Sequence, residues 1–291
     1  SEDAQFVLTT QKVNELTSFA KDKTAMPFSV FKPTGIGRIG IWEKVTKKEL
    51  LTTSEQEAWQ HINARYDEIC SKASQSDISL LIDAEEYSMQ EAADNLCERM
   101  MEKYNQEKAI VFNTLQCYRW DRLDYLKQQH SRAKAKGYKL GFKIVRGAYM
   151  EKENERAQAH NYKSPICESK EATDANFNAV MRYIFDHLDD ISLFLGTHNE
   201  ESSSLAIQIM KEKGISKDNS RVWFGQLYGM SDHLTFNIAS QGYNAAKYIP
   251  FGPVKDVMPY LIRRAEENTS VAGQTNRELS LLKKEKARRK L

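Results

Sequence analysis

The chain has 291 residues, of which 41% are hydrophobic and 28% charged, and its formal net charge is +2. These values indicate a globular protein with one large core or two ordinary ones. No apolar run reaches the roughly 20 residues that a membrane-spanning helix needs, and the first twenty residues resemble neither a secretory signal nor a transit peptide.

The basic residues are concentrated at the end of the sequence. Residues 283–291, KKEKARRKL, contain six basic residues and one acid, a local charge of +5 that leaves −3 for the remainder. We expect a solvated tail, with binding to anionic lipid as the alternative. Nucleic acid is not an expected partner, because no aromatic residues interleave these charges.

The four cysteines give no sign of a disulfide framework or of a metal site. Cys70, Cys97, Cys117 and Cys167 form no C-x-x-C pair and have no zinc-like spacing. This pattern favours reduced thiols in an intracellular protein.

Short apolar runs alternate along the chain with longer helical patterns. A helix is predicted over 4–21. The predicted strands cover 27–32, 78–85, 109–116, 140–147, 191–199, 221–227 and 244–252. Helices are predicted between them at 53–72, 88–104, 119–136, 172–189, 201–213 and 231–241, the first with a capping box of Ser54 and Glu57. Repeated strand–helix–strand units predict a parallel sheet.

A polar residue ends each predicted strand. These residues are Lys32, Asp83, Gln116, Arg146, His198, Gln226 and Tyr248. In a (β/α)8 barrel all strand ends meet at one mouth, so the pattern favours a closed TIM-like barrel over an open sheet. Only seven strands are visible, and we expect the chain to begin after the first strand. We predict a single domain over 1–275 followed by a basic tail over 276–291.

Residues 35–40, GIGRIG, match the dinucleotide-binding pattern G-x-G-x-x-G. A Rossmann unit needs a second strand that ends in an acid about 20 residues later, but 53–72 is predicted to be helical. We therefore expect these glycines to shape the loop after Lys32.

Residues 253–271, PVKDVMPYLIRRAEENTSV, predict a helix with a specialised face. Val254, Val257, Met258, Leu261 and Ala265 recur at helical spacing and are expected to face the core. Tyr260, Arg263, Arg264 and Glu267 share a second face. Two adjacent arginines steadied by an acid can grip a small carboxylate, although a solvated helix can also carry such charges.

Several motifs together resemble the proline dehydrogenase family, over a region from about Phe28 to Gln274. They are VFKPTGIGR, LIDAEE, FNTLQCY, KIVRGAYMEKE, ESKEATD, GTHN, GQLYGM, KYIPFGPV and PYLIRRAEEN, in the family's order along the chain. The single-domain form of the family fits better than the bifunctional one.

The resemblance implies an α/β fold, a distorted (β/α)8 barrel whose last helix lies over the mouth, with FAD bound noncovalently at the strand ends. It also implies oxidation of L-proline to Δ1-pyrroline-5-carboxylate, with hydride transfer from C5 to flavin N5 and a quinone as electron acceptor. The expected location is the bacterial cytoplasm, with peripheral contact to the inner membrane through the tail, or the mitochondrion of a eukaryote.

The resemblance also assigns residues. Lys32, Arg263 and Arg264 would bind the substrate carboxylate, Glu267 would steady the arginines, and Asp83 would organise the neighbouring charges. The expected walls of the substrate ring are Tyr248, Tyr260 and Leu227. The FAD-contacting positions are Gln116, Lys143, Arg146, Gly147, Ala148, Lys170, Thr173, Thr197, His198 and Gln226. Some relatives carry arginine at the position of Lys143.

Three alternative functions are compatible with the sequence. Hydroxyproline dehydrogenase shares the fold, the flavin and the reaction. A lyase or aldolase barrel would use Lys32 or Lys143 as a Schiff base. A lipid- or partner-binding module would act through the basic tail. A metal site is not expected, because the other histidines lie mostly in helical patterns without ligand spacing around His198.

Overall fold

In the computed structural model, seven strands alternate with helices. The structure describes residues 2–250, 254, 257–258, 260–262, 280, 283–284 and 286–289. The strands are β1 (Phe28–Phe31), β2 (Ser79–Ile82), β3 (Val111–Gln116), β4 (Leu140–Val145), β5 (Ile191–Gly196), β6 (Val222–Leu227) and β7 (Ala245–Tyr248). A short 3-10 helix, Pro33–Gly35, follows β1, and the α-helices in the continuously described part are α1 (Glu2–Ala20), α2 (Ile39–Thr46), α3 (Thr53–Ser76), α4 (Tyr87–Tyr104), α5 (Arg122–Lys136), α6 (Met150–Ala159), α7 (Lys170–Asp186), α8 (Glu200–Glu212) and α9 (Asp232–Ser240).

The strands form one parallel sheet in sequence order, from β1 to β7. Every neighbouring pair is parallel, with registers such as Phe31 opposite Ile82 and Leu227 opposite Tyr248. The sheet is curled. The curl brings the Tyr248 hydroxyl of β7 to the Asp83 carboxylate that follows β2. The predicted (β/α)8-like class is confirmed as a curled, barrel-like arrangement of seven parallel strands with helices.

Alternating strand positions build two apolar layers. One face of each strand packs on the helices, where residues such as Phe142, Phe224 and Ile82 are buried. The other face points into the barrel, where Phe28 contacts the rings of Phe194 and Trp223 at centroid distances of 5.0 and 5.1 Å. Because side chains alternate with a period of two, a continuous apolar run can serve both layers.

The seven predicted strands are all present, and most of them are a few residues shorter than predicted. Two helices lack counterparts in the prediction: α2 begins inside the GIGRIG stretch, and α6 follows the R-G-A-Y turn. The expected loop after Lys32 is shorter than predicted, because α2 begins at Ile39, and the order of the elements excludes a Rossmann unit there. Both helices are short, which makes their periodicity hard to detect.

The capping box of α3 differs from the prediction by two residues. Thr52 accepts a hydrogen bond from the amide of Glu55, whose side chain accepts one from the amide of Thr52 at 2.8 Å. Ser54 and Glu57 were therefore the wrong pair. The sequence contains two overlapping patterns of this kind, and periodicity cannot choose between them.

The predicted last helix falls mostly outside the described residues, which include six of its positions: 254, 257, 258 and 260–262. Val254 and Met258 were expected to face the core, but they are exposed by 75% and 45%. Helical spacing identifies residues that share a face, but it does not say which face packs. Arg263, Arg264, Ala265 and Glu267 lie outside the described residues. Within the described part of the chain, no helix is both long and apolar enough to cross a bilayer.

Candidate active site at the carboxyl ends of the strands

Asp83 lies at the centre of a charged cluster at the barrel mouth. It follows β2, and its carboxylate accepts hydrogen bonds from Lys32 Nζ at 2.7 Å and from Tyr248 Oη at 2.8 Å. Its other oxygen accepts a short bond from Lys143 Nζ. These side chains come from the carboxyl ends of β1, β2 and β7 and from within β4. We call Lys32, Asp83, Lys143 and Tyr248 the Asp83 cluster.

Burial and charge oppose each other in this cluster. Burial disfavours the ionised form of Asp83, but the ammonium groups of Lys143 and Lys32 outweigh it and hold the pKa of Asp83 below its usual range. Burial, together with the charge of Lys32, lowers the pKa of Lys143 in spite of its bond to Asp83. Asp83 is therefore a counter-ion for two cations, and a poor base near neutral pH.

The four members of the cluster differ in access to solvent. The side chain of Lys143 is 7% exposed and that of Asp83 is 11% exposed, whereas that of Lys32 is 52% exposed. Within the Asp83 cluster, two cations face one anion, which gives the cluster a net positive charge. The exposed Lys32 ammonium can therefore also meet an anionic group from solution.

Tyr260 approaches the same region from the last helix. Burial, then the Asp83 carboxylate, raise the pKa of Tyr248, and the neighbouring Tyr260 hydroxyl adds to that rise. Tyr260 is half-buried. Leu227 ends β6 opposite Tyr248 in the register. The three residues predicted to wall a substrate ring are thus brought to one side of the barrel mouth.

Arg146 forms a second cluster, with Asp174, Thr197 and Ser202. Its guanidinium donates to Asp174 Oδ1 at 2.6 Å, to Thr197 Oγ1 at 2.9 Å and to Ser202 Oγ at 3.0 Å. It also lies 4.4 Å from the centroid of the Phe177 ring. Arg146 therefore ties the end of β4 to the end of β5 and to α7 and α8. We call these four polar residues the Arg146 cluster.

The remaining predicted cofactor contacts surround the two clusters. Gln116 donates to the carbonyl of Glu85 at 2.8 Å, and Gln226 donates to the carbonyl of Thr197 at 3.1 Å. His198 Nδ1 lies 3.1 Å from Ser231 Oγ. Gly147 and Ala148 are exposed in the turn after Arg146. These positions trace a continuous rim along the ends of β3, β4, β5 and β6.

Lys170 and Thr173 lie on the first turn of α7, beside this rim. Lys170 is exposed and donates to Asp174 Oδ2 at 2.7 Å, while Thr173 is buried and bonds to the carbonyl of Ser169 at 3.1 Å. The first turn of a helix presents free amide groups that favour an anion such as a phosphate. Both residues therefore stand where the phosphate end of a dinucleotide could rest.

Two residues that the sequence analysis did not assign bind the strand-end loops together. Glu85 accepts hydrogen bonds from the amide and the hydroxyl of Thr34, at 2.8 and 2.6 Å, and so joins the loop after β1 to the loop after β2. Tyr118 supports Gly147, where any Cβ would stand 2.6 Å from its ring. Both lie two residues beyond a predicted site residue, Asp83 or Gln116, so extending the strand alternation would have found them.

The donor set fits a flavin. An isoalloxazine presents carbonyl oxygens and ring nitrogens that accept hydrogen bonds, and its reduced form is rich in electrons. Amide groups on Gln116 and Gln226 and cations on Lys143 and Arg146 supply matching donors at one rim. Among the described residues, no group of three or more histidine, cysteine or acidic side chains has a geometry suited to a metal ion.

Comparisons with known proteins identify the family and the fold. A family model described as proline dehydrogenase matches residues 2–277. The carbapenem antibiotics biosynthesis protein CarD of Pectobacterium carotovorum is 33% identical over 289 residues, which cover 99% of this chain and 74% of that protein. The mitochondrial proline dehydrogenase 1 of Drosophila melanogaster is 38% identical over 245 residues, and its human counterpart is 37% identical over 241.

These matches differ in how much of each relative they include. The fly and human matches cover 81% and 82% of this chain but only 36% and 40% of those proteins. Among solved structures, proline utilization A from Bdellovibrio bacteriovorus superposes with a TM-score of 0.79 at 20% identity, covering 93% of this chain and 29% of that one. At this identity the superposition supports the fold alone.

Proposed function

The chain belongs to the proline dehydrogenase family, and on that basis we propose that it uses FAD to oxidise L-proline to Δ1-pyrroline-5-carboxylate, with a quinone as electron acceptor. The observation that carries the proposal is the Asp83 cluster, which gathers two cations and a hydroxyl around one carboxylate at the mouth of a barrel.

The cluster suits the binding of a small amino acid. Lys32 is the exposed cation, so it can share its charge between Asp83 and a substrate carboxylate. Arg263 and Arg264, which lie outside the described residues, would supply the other carboxylate contacts, and Glu267 would steady them. The positive charge also favours a substrate nitrogen that has lost its proton, the form that is ready for oxidation.

The rim from Gln116 to Gln226 would hold the cofactor. Gln116, Lys143, Gln226 and His198 would bind the isoalloxazine, and the turn at Gly147 and Ala148 with Lys170 and Thr173 would bind the rest of the molecule. When bound, FAD supplies the hydride acceptor. The protein's own part is to orient the substrate ring between Tyr248, Tyr260 and Leu227 and to exclude water.

The low pKa of Asp83 fixes its role in this proposal. A carboxylate held ionised by two cations does not take up a proton readily, so Asp83 organises charge and does not act as the base. Arg146, at the carboxyl end of β4, would stabilise electron-rich reduced flavin by its charge while Asp174 keeps it in place.

Electron transfer to a quinone implies contact with a membrane. Lys283, Lys284, Lys286 and Arg289 are described and exposed, and they provide a basic surface for anionic lipid. The eukaryotic relatives are named mitochondrial. We propose the same compartment for a eukaryotic source, and the cytoplasmic face of the inner membrane for a bacterial one.

The test is turnover with purified protein. Visible flavin absorbance and oxidation of L-proline with a soluble quinone are expected, and trans-4-hydroxy-L-proline should be the poorer substrate. Arg264→Ala should raise the proline KM steeply with flavin content nearly normal, and Arg146→Ala should instead lower flavin retention. Equal and small effects of the two substitutions would contradict the assignment, and faster turnover of hydroxyproline would reassign the substrate.

A further inference from the structure

The turn that carries Gly147 and Ala148 needs support beyond the sheet. The backbone hydrogen bonds that continue from β4 end at Arg146, whose carbonyl accepts one from the amide of Tyr118 at 2.7 Å. Gly147, Ala148 and Met150 are all exposed. The turn therefore depends on the Tyr118 ring beneath Gly147 and on α6, the element that follows it.

Glu153 is the buried acid of an otherwise largely exposed helix. It lies in the first turn of α6 and is 1% exposed, while Glu151 and Lys152 beside it face solvent. Its Oε1 accepts a hydrogen bond of 2.8 Å from the amide of Tyr87, the first residue of α4. Helix α4 starts only four residues after Asp83, so this bond joins the turn after β4 to the end of β2.

The bond replaces a local helix cap. Glu86 precedes α4, but its side chain makes no capping hydrogen bond. The first amides of a helix have no partner within the helix, and a carboxylate is favoured there. Glu153 supplies that carboxylate from a different helix, 66 residues along the chain.

This arrangement is costly for folding alone. Within the described residues Glu153 Oε2 is buried and has no hydrogen-bond partner. Burial raises the pKa of Glu153, which reflects the cost of its charge. A shorter polar side chain on α4 itself could cap the helix without burying an unsatisfied oxygen. The contact therefore carries a cost at Oε2 that a local cap would avoid.

Glu153 also lies next to the floor of the turn. Burial, and next the Glu153 carboxylate, raise the pKa of Tyr118. The ring of Tyr118 lies directly under Gly147, whose φ of +136° and lack of a Cβ permit that approach. The same carboxylate is thus close to the two structures that position the turn, the start of α4 and Tyr118.

We propose that Glu153 is a positioning residue for the cofactor: by binding the first amide of α4 it fixes the turn at Gly147 and Ala148 relative to the Asp83 cluster. The inference rests on the proposed function, because the turn matters only if FAD binds there. The neighbouring pair of Lys152 with Glu86 joins the same two helices at 2.6 Å, but Lys152 is 58% exposed, and such a pair positions weakly.

The test uses purified holoprotein and the rate at which FAD dissociates from it, followed by the fluorescence of the released cofactor. Glu153→Ala should speed dissociation by about tenfold or more, since a loosened turn no longer presents its amides. Glu153→Gln keeps an oxygen acceptor for Tyr87 and should stay within about threefold of the parent. Lys152→Ala, the matched control on the same helix, should stay within about twofold.

A stability control and an exchange measurement separate the possible outcomes. Ile69→Ala, in the buried face of α3, should lower the melting temperature without changing FAD dissociation. Amide exchange at Tyr87 and residues 147–150 should accelerate in Glu153→Ala and not in Glu153→Gln. Unchanged exchange in Glu153→Ala, or FAD loss that only follows the melting temperature, would overturn the inference. A parent protein without FAD would instead contradict the proposed function.

Discussion

The two ends of the barrel interior use the same alternating positions for opposite purposes. At the lower end, Phe28, Phe112 and Phe194 pack edge to face, with centroid distances of 6.1 and 5.0 Å from Phe28. At the upper end, the same strands place Lys32 and Gln116 at the mouth. In β3 the inward positions run from Phe112 through Thr114 to Gln116. Stability and chemistry are thus separated along each strand.

The largest expected effect comes from removing the Asp83 carboxylate, which lies at the centre of the barrel mouth. Asp83→Ala leaves the Lys143 ammonium buried without its counter-ion, and we expect kcat/KM for proline to fall about 100-fold because the cations lose their positions. The free energy of unfolding should drop by about 3–5 kcal/mol, the usual cost of breaking a buried pair. Steady-state kinetics and urea unfolding measure the two effects. Asp83→Asn should be milder, and near-normal kinetics in Asp83→Ala would contradict the role.

Removal of an aromatic side chain from the lower end of the barrel interior should reduce stability without changing substrate binding at the mouth. Phe194→Ala opens a cavity inside the barrel and should cost about 3–5 kcal/mol of unfolding free energy. The KM for proline should change by less than about threefold in the folded protein, because the mouth keeps its contacts. Phe194→Leu is the matched control and should cost about 1–2 kcal/mol. A rise in KM comparable to that of a mouth substitution would refute the separation.

Two carboxyls of the mouth should give pH dependences of opposite sign. The pKa of Asp83 is held low, so its stabilising contribution is complete above the unfolded value of about 3.9 and is lost as pH falls through the folded value. Burial raises the pKa of Glu85, so stability should decline as pH rises from about 4.3 through its folded value.

Urea unfolding between pH 3 and 7 measures both trends. Relative to Glu85→Gln, the parent should lose stability with rising pH in the window that starts at about 4.3. Relative to Asp83→Asn, it should gain stability as pH rises toward about 4 and then show a constant difference. If the difference in unfolding free energy changed with pH in the same direction for both comparisons, the environments of Glu85 and Asp83 would not be distinct.

The smallest expected effect lies at the outer edge of the mouth. Lys170 is 76% exposed and pairs with Asp174 on its own helix, so Lys170→Ala should change the free energy of unfolding by less than about 0.5 kcal/mol. Arg146→Ala should cost more, because Arg146 holds Asp174, Thr197 and Ser202 in one network. Thermal unfolding of the two variants compares them. An equal loss of unfolding free energy in the two variants would mean that burial of the Arg146 cluster does not stabilise the fold.

The sequence predicted the fold because strand runs and polar strand ends are local signals. Lys32, Asp83 and Tyr248 each follow or end an apolar run, and parallel strands bring such ends together. The identity of the partners is less local. Nothing in the spacing indicates that Lys143 and Lys32 share one carboxylate, or that Arg146 is held between α7 and α8, because those contacts depend on the curl of the sheet and on helix packing.

The helices after Lys32 and Arg146 were missed for a related reason. Helix α6 is ten residues long and mostly exposed, so its single buried acid, Glu153, cannot be told from a solvated one by pattern. The error at Val254 and Met258 is of the same kind, since periodicity defines a stripe but not its neighbour.

Anaerobic addition of L-proline to the purified protein, with its visible absorption recorded, tests the central claim most directly. We expect flavin bands that bleach with L-proline in the parent protein and that bleach about 100-fold more slowly in Asp83→Ala, which keeps its FAD. A colourless protein, or flavin bands that L-proline leaves unchanged in the parent, would contradict a shared site for amino acid and cofactor at the strand ends.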